Sequence, residues 1–400
     1  MKAVILAAGE GSRMRPLTYT RPKVMLPIAN KPILEHLLIE AAGAGIKEFI
    51  FVVGYHDEQV RDYFGNGDKW GLKIDYITQR KRLGTANAIE GVKALVKGKF
   101  LVMNGDTIIS IEDIAKLAAV GDNAIGIKEV EDVSGVGVVE LSGSRLVRIC
   151  EKTDRPPSNM ANTGLYLFTQ DIFNAISKTP KSIRGEYEIT GSIQLMLEQG
   201  HDIYCHQIGY WLDCSYPWDL LTANEALMNG NEARNMGQVE DYAVIKGAVA
   251  IGENTIVRSG CYIVGPVTIG RDCDIGPNCY IRPFTSIGDG CRIGAAVEVK
   301  ESIIMRGTKI PHHSYLGDSI VGEGCNFGSG TKIANLRLDK KNIIISGVDT
   351  KRRKLGAIIG DGVETGINAS INVGSMIGNN VVIGPGAVAS GVILPGSRVF

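Results

Sequence analysis

Net charge, long apolar runs and paired cysteines are all missing from the sequence. The 43 basic and 43 acidic residues leave a formal net charge of zero, which argues against a surface for nucleic acid or for an anionic membrane. No apolar run approaches the roughly 20 residues that a membrane-spanning helix needs. Residues 1–14 lack the longer apolar stretch and the cleavage site of a signal peptide. We therefore expect a cytoplasmic protein with no nucleic-acid or membrane partner.

The eight cysteines include no CxxC pair, so the sequence indicates neither a zinc knuckle nor a redox motif. Glycine is abundant instead: 50 of the 400 residues are glycine, against a usual share of about 7%. No Gly-X-Y period is present, and a composition that is 44% hydrophobic can bury a large core. The chain is therefore expected to form two compact units or one repeat array rather than a fibre.

The first half of the chain alternates between strand-like and helix-like segments. Ala3 to Ala7, Phe49 to Val53 and Phe100 to Met103 are short apolar runs of the kind that form buried strands. Residues 32–44 have helical spacing, with four aliphatic side chains on one face. Strands and helices in succession predict an α/β domain built around a parallel sheet.

A six-residue period replaces this alternation in the second half. Aliphatic residues recur at every sixth position: Ile245, Ile251, Val257, Ile263, Ile269, Ile275, Ile281, Ile287, Ile293 and Val299. A helix has a period near 3.6 and a strand a period of 2, so neither explains the spacing. This hexapeptide pattern predicts a parallel β-helix with three short sides per coil, in which the aliphatic residues point inward and glycines form many of the corners.

The repeat also accounts for half of the cysteines. Four of them occupy its second inward position: Cys261, Cys273, Cys279 and Cys291. A free cysteine behaves there as a small apolar residue, so we expect packing rather than metal binding. The register slips by one residue near Ile304 and again near Val321. Residues 335–354 have no hexapeptide phase and carry many cations, and a loop this long inside a solenoid is usually functional or disordered.

A glycine-rich segment follows the first predicted strand. Gly9 and Gly11 come directly after it, and Arg13 and Lys23 supply cations a few residues on. Glycines after a parallel strand let backbone N–H groups surround a phosphate, and arginine and lysine side chains add charge-assisted contacts. The third glycine and the acidic residue of the dinucleotide-binding motif are missing, so a nicotinamide cofactor is disfavoured.

Several motifs in this half together resemble one enzyme family. The segment Leu6 to Thr18, followed by Arg21-Pro22-Lys23, closely resembles the opening of the sugar-1-phosphate nucleotidylyltransferases. Further motifs stand in that family's order: Gln79 with Leu83-Gly84-Thr85-Ala86, Asn104-Gly105-Asp106, Val136-Gly137-Val138, Glu151-Lys152, Asn162-Thr163-Gly164 and Trp211-Leu212-Asp213. The resemblance implies a Rossmann-like nucleotidylyltransferase domain over residues 1–235.

The resemblance assigns a role to each group of matched residues. The nucleotide-binding positions are Leu6, Ala8, Gly9, Gly11, Gln79, Gly84 and Thr85. The sugar-phosphate positions are Gly137, Glu151, Lys152 and Asn162. Arg13 and Lys23 are expected to hold the triphosphate while a sugar 1-phosphate oxygen attacks its α-phosphorus and pyrophosphate leaves. Asp106 and Asp213 are expected to hold Mg²⁺, which prefers oxygen ligands and often uses one or two carboxylates.

The repeat region resembles a second catalytic domain. Its matching segments are Ile281-Arg282-Pro283, Val297 to Lys300, His312 to Asp318, Asn326 to Thr331, and Asn335. They are similar to the acetyltransferase domain of the bifunctional N-acetylglucosamine-1-phosphate uridylyltransferase/glucosamine-1-phosphate acetyltransferases. That resemblance makes His312 the base that deprotonates the sugar amine before it attacks acetyl-CoA. Arg282, Lys300, Tyr315 and Lys341 would bind the sugar phosphate, and Asn326 and Asn335 would orient the amine and the acetyl group.

The predicted fold is therefore an α/β nucleotidylyltransferase domain followed by a left-handed parallel β-helix of hexapeptide repeats over residues 236–400. The left hand follows from the resemblance, since crossovers between parallel strands are otherwise right-handed. Hexapeptide acyltransferases resemble trimers packed side by side, so a homotrimer is expected. Its small-molecule partners would be sugar phosphates, acetyl-CoA and a nucleoside triphosphate.

Details within this reading remain open. His313 competes with His312 as the base, although a histidine three residues before the tyrosine matches the family pattern. The run 351–354 either meets the phosphates of coenzyme A or is a solvated basic loop. UTP and dTTP are both candidates, because a glutamine amide at position 79 suits a pyrimidine. Asp213 stands where the bacterial bifunctional enzymes often have asparagine, which resembles the archaeal enzymes.

Two other functions compete with the bifunctional one. A single-activity pyrophosphorylase, such as a GDP-mannose-forming enzyme, would use the β-helix only as a structural element. A non-catalytic interaction subunit would be expected to lack Arg13, Lys23 or Asp106, and all three are present.

Overall fold

The computed structural model describes residues 1–133, 135–151, 155–230 and 232–400. They form two compact units. The first contains residues 1–10, 21–25 and 33–213, and the second contains residues 11–20, 26–32 and 214–400. The second unit thus includes segments from both sides of residue 235, and the assignment of one activity to each side of that residue stays a prediction.

A mixed sheet organises the first unit. Its strands are β1 (Lys2–Ala7), β4 (Glu48–Val53), β5 (Lys73–Thr78), β6 (Phe100–Asn104), β8 (Ala124–Glu129), β9 (Val138–Ser142), β10 (Arg145–Cys150), β11 (Met160–Phe168) and β12 (Tyr204–Gln207). Over the described residues their order is β5-β4-β1-β6-β11-β8-β12-β10-β9. Two short antiparallel pairings complete the described strands that precede the repeats: β2 (Pro27–Ile28) with β3 (Lys31–Pro32), and β7 (Thr107–Ile109) with β13 (Trp211–Asp213).

The helices lie between these strands in the chain. They are α1 (Ile33–Gly43), α2 (Asp57–Phe64), α3 (Thr85–Glu90), α4 (Ile111–Ala118), α5 (Ile172–Ile176), α6 (Ile189–Glu198) and α7 (Asp219–Met228). Short 3₁₀ helices cover Ser12–Met14, Lys23–Met25 and Asp68–Trp70. The predicted helix over residues 32–44 is α1, and its aliphatic face is fully buried because it packs into the same core as β1 and β4.

The prediction of a parallel sheet is confirmed for β1, β4 and β6, the strands that the sequence analysis named, but antiparallel pairs occur elsewhere in the sheet. β5, β4, β1 and β6 are parallel, whereas β11 is antiparallel to both β6 and β8, and β10 is antiparallel to β9. The connection between β9 and β10 is only residues 143–144, which suffices for a hairpin but not for the crossover that parallel neighbours need. The apolar runs predicted strands without specifying their direction.

The second unit is a parallel β-helix, as the hexapeptide pattern predicts. Its described strands stack into three parallel sheets. Sheet I contains Arg234–Asn235, Val249–Ile251, Val267–Ile269, Thr285–Ile287, Ile303–Ile304, Ile320–Val321, Ala357–Ile359, Ser375–Ile377 and Val392–Ile393. Sheet II contains Gln238–Val239, Ile256–Val257, Asp274–Ile275, Arg292–Ala295, Lys309–His312, Asn326–Phe327, Glu364–Thr365, Val382–Ile383 and Arg398–Val399. Sheet III contains Val244–Lys246, Tyr262–Val264, Tyr280–Ile281, Glu298–Lys300, Tyr315–Gly317, Lys332–Ile333, Ser370–Ile371 and Val388–Ala389.

The periodic aliphatic residues form the core of this β-helix. From Ile251 to Val299 every one of them is at most 3% exposed. Ile245 is an exception: it pairs in register with buried Ile263, as an inward residue does, but it is 37% exposed. It lies in the first strand of sheet III, which has a neighbouring strand on one side only. An inward residue of a terminal coil lacks the second coil that would cover it.

The register changes occur where the sequence predicts them. Ile269 pairs with Ile287 in sheet I, but Ile287 pairs with Ile304 and Ile304 with Val321, so these two coils are each one residue shorter. Val321 then pairs with Ile359, and the intervening insertion forms a small hairpin of Ile344–Ile345 and Val348–Asp349. Buried Ile343 and Ile345 hold that hairpin in place.

The cysteines of the repeat are packed, as predicted. Cys261, Cys273, Cys279 and Cys291 are each at most 3% exposed and belong to the β-helix core. The Sγ atoms of Cys261 and Cys279 lie 3.4 Å apart in adjacent coils, and both are free thiols. Among the described residues no group of three or more histidine, cysteine or acidic side chains is arranged to hold a metal.

Candidate active sites

The first candidate site lies at the carboxyl ends of β1 and β6. These parallel strands are neighbours although β4 and β5 separate them in the chain, so the strand order reverses here. Such a switch point is where open α/β sheets bind ligands. Leu6 pairs with Asn104, and the Gly105 N–H donates to the Leu6 carbonyl at 2.9 Å. A Cβ at Gly105 would lie 2.9 Å from that oxygen, so only glycine permits this approach.

Asp106 follows this glycine and is paired with Lys23. The Lys23 Nζ lies 2.5 Å from an Asp106 carboxylate oxygen, and the lysine side chain is only 9% exposed. Asp213 pairs across the β7–β13 ladder with Thr107, the residue after Asp106. The two predicted metal ligands are therefore brought to adjacent positions of one small ladder. A pair of carboxylates beside a cation that contacts phosphate fits Mg²⁺, which needs few protein ligands when substrate oxygens complete its shell.

The glycine-rich segment is divided between the two units. Leu6, Ala8 and Gly9 belong to the first unit, and Gly11 and Arg13 belong to the second. Gly9 is exposed, with open space where a Cβ would lie, and Gly11 adopts a left-handed conformation with φ of 69°. The Arg13 guanidinium lies 5.4 Å from the centre of the Tyr216 ring, which stacks on Trp218.

The predicted base-binding residues form one hydrogen-bonded group. Gln79 follows β5, and its Nε2 donates to the Gly84 carbonyl at 3.1 Å and to the Asn87 Oδ1 at 3.0 Å. Gly84 has a φ of 108°, and a Cβ there would lie 2.5 Å from the Tyr187 carbonyl oxygen. Thr85 begins α3, and its hydroxyl accepts from the Ile189 N–H at 2.9 Å. The amide nitrogen of Gln79 is thus engaged within the protein.

The predicted sugar-phosphate residues lie on and near β11. The Glu151 carboxylate accepts from the Thr190 hydroxyl at 3.0 Å and from Arg184 at 3.3 Å. The Asn162 Nδ2 donates to the Tyr166 hydroxyl at 2.8 Å, and Gly137 lies against the same asparagine side chain. Lys152 lies outside the described residues.

Sequence reasoning missed two residues of this group. Arg184 also lies 3.3 Å from Glu188 and 3.8 Å from Glu186, so it links Glu151 to two further carboxylates. Tyr166 is fully buried, which raises the pKa of its hydroxyl and keeps it neutral. Neither residue stands within a motif, and each contacts its partner only through the fold.

The second candidate site lies on sheet III of the β-helix. Arg282, Lys300 and Tyr315 come from three successive coils, and Asn335 follows the strand of the fourth coil. The Asn335 Nδ2 donates to the Tyr315 hydroxyl at 3.2 Å. Arg282 pairs with Glu298 at 2.9 Å and lies over the Tyr280 ring. The β-helix register therefore brings together residues that are up to 53 positions apart in the sequence.

Asp318, which the sequence analysis did not select, is the buried centre of this group. Its Oδ2 accepts from Asn335 Nδ2 at 2.5 Å and lies 3.2 Å from Lys300 Nζ. Lys300 also pairs with Glu301 at 3.0 Å. Burial alone would lower the pKa of Lys300, but the charges and hydrogen bonds of Asp318 and Glu301 raise it. Lys300 therefore stays charged although its side chain is only 6% exposed.

The two histidines occupy the corner between sheets II and III. His312 is the last residue of its sheet II strand, and His313 adopts a left-handed conformation with φ of 48°. Both side chains are exposed, and Tyr315 begins the next strand of sheet III. The backbone carbonyl of His313 accepts from Lys332. The corner presents both side chains, so the choice between them as the base stays a prediction for His312.

Two predicted residues are not brought into this group. Asn326 is exposed on sheet II, where it pairs with Lys309 and Glu364. Lys341 is exposed in the insertion, and its backbone N–H donates to the Asp339 carboxylate at 3.2 Å. In the basic run, Arg352 is half-buried and donates to the Thr222 hydroxyl of α7 at 3.0 Å. That contact gives Arg352 a structural role within the second unit.

Comparisons with known proteins match both halves of the chain to family models. The nucleotidyl transferase family model matches residues 2–230, and the GMPPB C-terminal domain model matches residues 263–368. A solved structure described as UDP-glucose pyrophosphorylase complexed with UDP-glucose is 28% identical, with a TM-score of 0.52. It covers 57% of this chain and 98% of its own chain.

Curated relatives extend the similarity to the whole chain. A bifunctional protein GlmU of Methanococcus maripaludis is 42% identical over 392 residues, which are 96% of this chain and 93% of the relative. A bifunctional sugar-1-phosphate nucleotidylyltransferase/acetyltransferase of Sulfurisphaera tokodaii is 42% identical and covers 98% of this chain and 97% of its own.

Fold and family model define an α/β nucleotidyltransferase domain followed by a parallel β-helix. Similarity over the full length of the chain identifies the family more specifically. The chain belongs to the archaeal family of bifunctional sugar-1-phosphate nucleotidylyltransferase/acetyltransferases. Among the described residues, no helix is both long and apolar enough to span a membrane.

Proposed function

We propose that this enzyme acetylates glucosamine 1-phosphate, or a related amino-sugar 1-phosphate, with acetyl-CoA. It then condenses N-acetylglucosamine 1-phosphate or glucose 1-phosphate with UTP or dTTP and releases pyrophosphate. The observation that supports acetyl transfer is the convergence of Lys300, Tyr315 and Asn335 on sheet III, where the strand Tyr315–Gly317 follows the corner that bears His312. A β-helix that served only as a structural element would have no need of a buried lysine paired with two carboxylates there.

Nucleotidyl transfer depends on charge neutralisation. Arg13 and Lys23 bind the triphosphate, and their positive charge opposes the charge that develops on the α-phosphate in the transition state. Asp106 and Asp213 would hold Mg²⁺, which when bound neutralises phosphate oxygens and orients them for in-line attack. The Lys23–Asp106 pair supports this role, because it keeps a carboxylate and a cation together at the switch point.

The nucleobase would be read by Gln79. Its Nε2 is engaged by Gly84 and Asn87, so the Oε1 is the group that can accept a hydrogen bond from a base. Uracil and thymine present a ring N–H donor, whereas a base without such a donor would leave the oxygen unpaired. This arrangement supports UTP and dTTP equally. Guanine also presents a ring N–H, so the preference over GTP is decided by the parallel nucleotide incubations.

Acetyl transfer proceeds by direct attack of the sugar amine. His312 accepts a proton from the amine, whose nitrogen forms a bond to the thioester carbonyl carbon. The carbon–sulfur bond breaks, and His312 returns the proton to the departing coenzyme A sulfur. Arg282, Lys300 and Lys341 bind the sugar phosphate, and Asn326 and Asn335 orient the amine and the acetyl group. We propose a homotrimer as the assembly in which these residues act.

The test is an incubation with glucosamine 1-phosphate and acetyl-CoA in which thiol release is followed for the wild type and His312→Ala. His313→Ala is the matched control, since it removes the same ring from the same corner. Thiol release by the wild type and His313→Ala, but not by His312→Ala, is expected. Parallel incubations with UTP, dTTP and GTP rank the nucleotides through pyrophosphate release.

A single-activity nucleotidylyltransferase is the second candidate. The match of residues 263–368 to the GMPPB C-terminal domain model favours it. A wild type that releases pyrophosphate but no thiol would support this function and contradict the proposed acetyltransferase activity.

A further inference from the structure

Asp318 occupies a position that would be unusual for a surface carboxylate. It follows the sheet III strand Tyr315–Gly317, has a φ of 51°, and is 0% exposed. Its N–H donates to the Lys300 carbonyl at 3.0 Å, and its carbonyl accepts from the Gly356 N–H at 2.8 Å. An aspartate in a left-handed conformation inside a β-helix costs stability, so its side chain must offset that cost or serve a function.

The two oxygens of the Asp318 carboxyl have different surroundings. Oδ2 accepts from Asn335 Nδ2 and faces Lys300. Oδ1 is buried and has no hydrogen-bond partner within the part of the chain that the structure describes. Burial, followed by the adjacent Glu301 carboxyl, raises the pKa of Asp318, while Asn335 and Lys300 oppose the shift.

This arrangement determines which end of the Asn335 amide is available. One Nδ2 hydrogen goes to Asp318 and the other to the Tyr315 hydroxyl. Both donors of the amide are therefore satisfied inside the protein. The group that remains is the Asn335 carbonyl oxygen, for which the described residues provide no side-chain hydrogen bond. A carbonyl oxygen accepts a hydrogen bond and cannot donate one.

We propose that Asp318 is a positioning residue for acetyl transfer, which locks the Asn335 side chain with its carbonyl oxygen toward the substrate so that it accepts from the N–H of the attacking amine. The proposal rests on the proposed function. An amine held by one N–H directs its lone pair along a single line, which is the geometric requirement of nucleophilic attack. Without Asp318 the amide can rotate and present its NH₂ group, which repels the amine hydrogens.

Gly317 supports the same arrangement. A Cβ at this position would lie 2.6 Å from both the Asn335 Nδ2 and the Tyr315 hydroxyl oxygen. The residue before Asp318 must therefore be glycine if the amide is to reach the carboxyl. Gly317→Ala displaces the amide while it leaves the Asp318 carboxyl in the chain.

The experiment compares Asp318→Ala with Asp318→Asn. Alanine removes the acceptor, so kcat for acetyl transfer should fall about 100-fold, as a displacement near 1 Å from the reacting geometry does. Asparagine retains an oxygen for Asn335 and places its NH₂ group where Oδ1 lies, so it should restore kcat to within about fivefold of the wild type. The KM for acetyl-CoA and the rate of nucleotidyl transfer should be unchanged in both variants.

Ser319→Ala is the matched structural control. It removes hydrogen bonds to the Gly317 carbonyl and from the Ala357 N–H in the same turn, without touching the Asp318 side chain. It should lower the melting temperature and leave kcat for acetyl transfer unchanged. If Asp318→Ala turns over at the wild-type rate, or if a folded Asp318→Asn is as slow as the alanine variant, the proposal is overturned.

Two further outcomes need separate interpretation: variants that do not fold, and a wild type that does not transfer acetyl groups. If neither Asp318 variant folds, Gly317→Ala is compared with Tyr315→Phe, which removes only the hydroxyl that the added Cβ also meets. A loss of kcat in Gly317→Ala that exceeds the loss in Tyr315→Phe supports the proposal, and an equal or smaller loss contradicts it. If the wild type itself transfers no acetyl group, the proposed function fails before any variant is compared, and the positioning role fails with it.

Discussion

Asp106 contacts a cation expected to bind phosphate and stands next to the second carboxylate expected to bind Mg²⁺. It pairs with buried Lys23 and stands beside Thr107, the ladder partner of Asp213. The strand-end motif was readable in the sequence, because a carboxylate after a short buried strand is a local feature. Its lysine partner lies 83 residues away, and the adjacency of Asp213 depends on the pairing of β7 with β13.

Replacement of Asp106 by alanine should abolish Mg²⁺-dependent pyrophosphate release, because the site loses a metal ligand and leaves Lys23 without its carboxylate. Acetyl transfer should continue at the wild-type rate, since its residues lie in the other unit. Asp202→Ala is a suitable control, because Asp202 is an exposed carboxylate paired with Arg145. Pyrophosphate release at the wild-type rate by Asp106→Ala would remove the metal assignment.

Asp113 shows how a buried carboxylate contributes to stability. Burial raises its pKa, but the N–H groups of Tyr210 and Gly209, the Ser110 hydroxyl and the charge of His206 together lower it below its usual 3.8. A carboxyl whose pKa is lower in the folded state than in the unfolded state stabilises the fold above the unfolded pKa. That contribution is lost as the pH falls from about 4 through the folded pKa.

Asp113→Asn should therefore destabilise the first unit at neutral pH and make its stability less dependent on pH in the acid range. The measurement is the melting temperature of wild type and variant between pH 7 and pH 3. The gap between the two melting temperatures should narrow as the pH falls. A gap that is constant over this range would contradict the assigned role of the ionised carboxylate.

The stability of the β-helix depends on how completely the aliphatic residues of the repeat are buried. Ile281 and Ile245 have the same phase in the hexapeptide pattern, yet Ile281 is 0% exposed and Ile245 is 37% exposed. The difference arises because Ile281 lies between two coils and Ile245 lies in the first strand of its sheet. Equivalent positions of the repeat therefore contribute different amounts to the free energy of unfolding.

Ile281→Ala should cost about 2–5 kcal/mol of the free energy of unfolding, since it removes buried methyl groups and leaves a cavity. Ile245→Ala should cost much less, because that side chain already contacts solvent. Urea unfolding followed by circular dichroism compares the two variants directly. Equal losses would show that the first coil is covered in solution, for example by another copy of the chain.

The residues proposed for acetyl transfer are divided between two sheets of the β-helix, which bears on how copies of the chain assemble. Asn326 lies on sheet II, whereas Lys300, Tyr315 and Asn335 lie on or directly after sheet III. A site that uses both sets can be completed when sheet II of one copy faces sheet III of another. Closed cyclic symmetry would give each copy one such neighbour on either side.

Co-expression of Asn326→Ala with Asn335→Ala tests this arrangement. Each variant alone should have little acetyl transfer activity. Randomly mixed cyclic trimers should recover about a quarter of the wild-type activity, because a quarter of the interfaces combine two intact faces. Mixtures as inactive as the separate variants would place both asparagines in a site within one copy. A molecular mass in solution equal to that of the monomer would contradict the proposed trimer.

The sequence by itself determined the elements that depend on local spacing. A six-residue period specifies inward aliphatic residues and glycine corners coil by coil, so the β-helix, its shortened coils and its packed cysteines were all readable. The opening glycine motif and the Asn104-Gly105-Asp106 strand end were readable for the same reason. Each of these features is set by residues within a few positions of one another.

Only the tertiary structure decided which distant residues meet. The direction of β9, β10 and β11, the exposure of Ile245 and the link of Arg184 to Glu151 all depend on neighbours supplied by other parts of the chain. Asp318 is the clearest case, because burial turns an ordinary loop aspartate into an acceptor that orients Asn335. Its partners stack through the β-helix register, and an insertion of some twenty residues separates Asn335 from the coil that follows. Hydrogen bonding and desolvation depend on distance in space, which a repeat in the sequence specifies only where the register is unbroken.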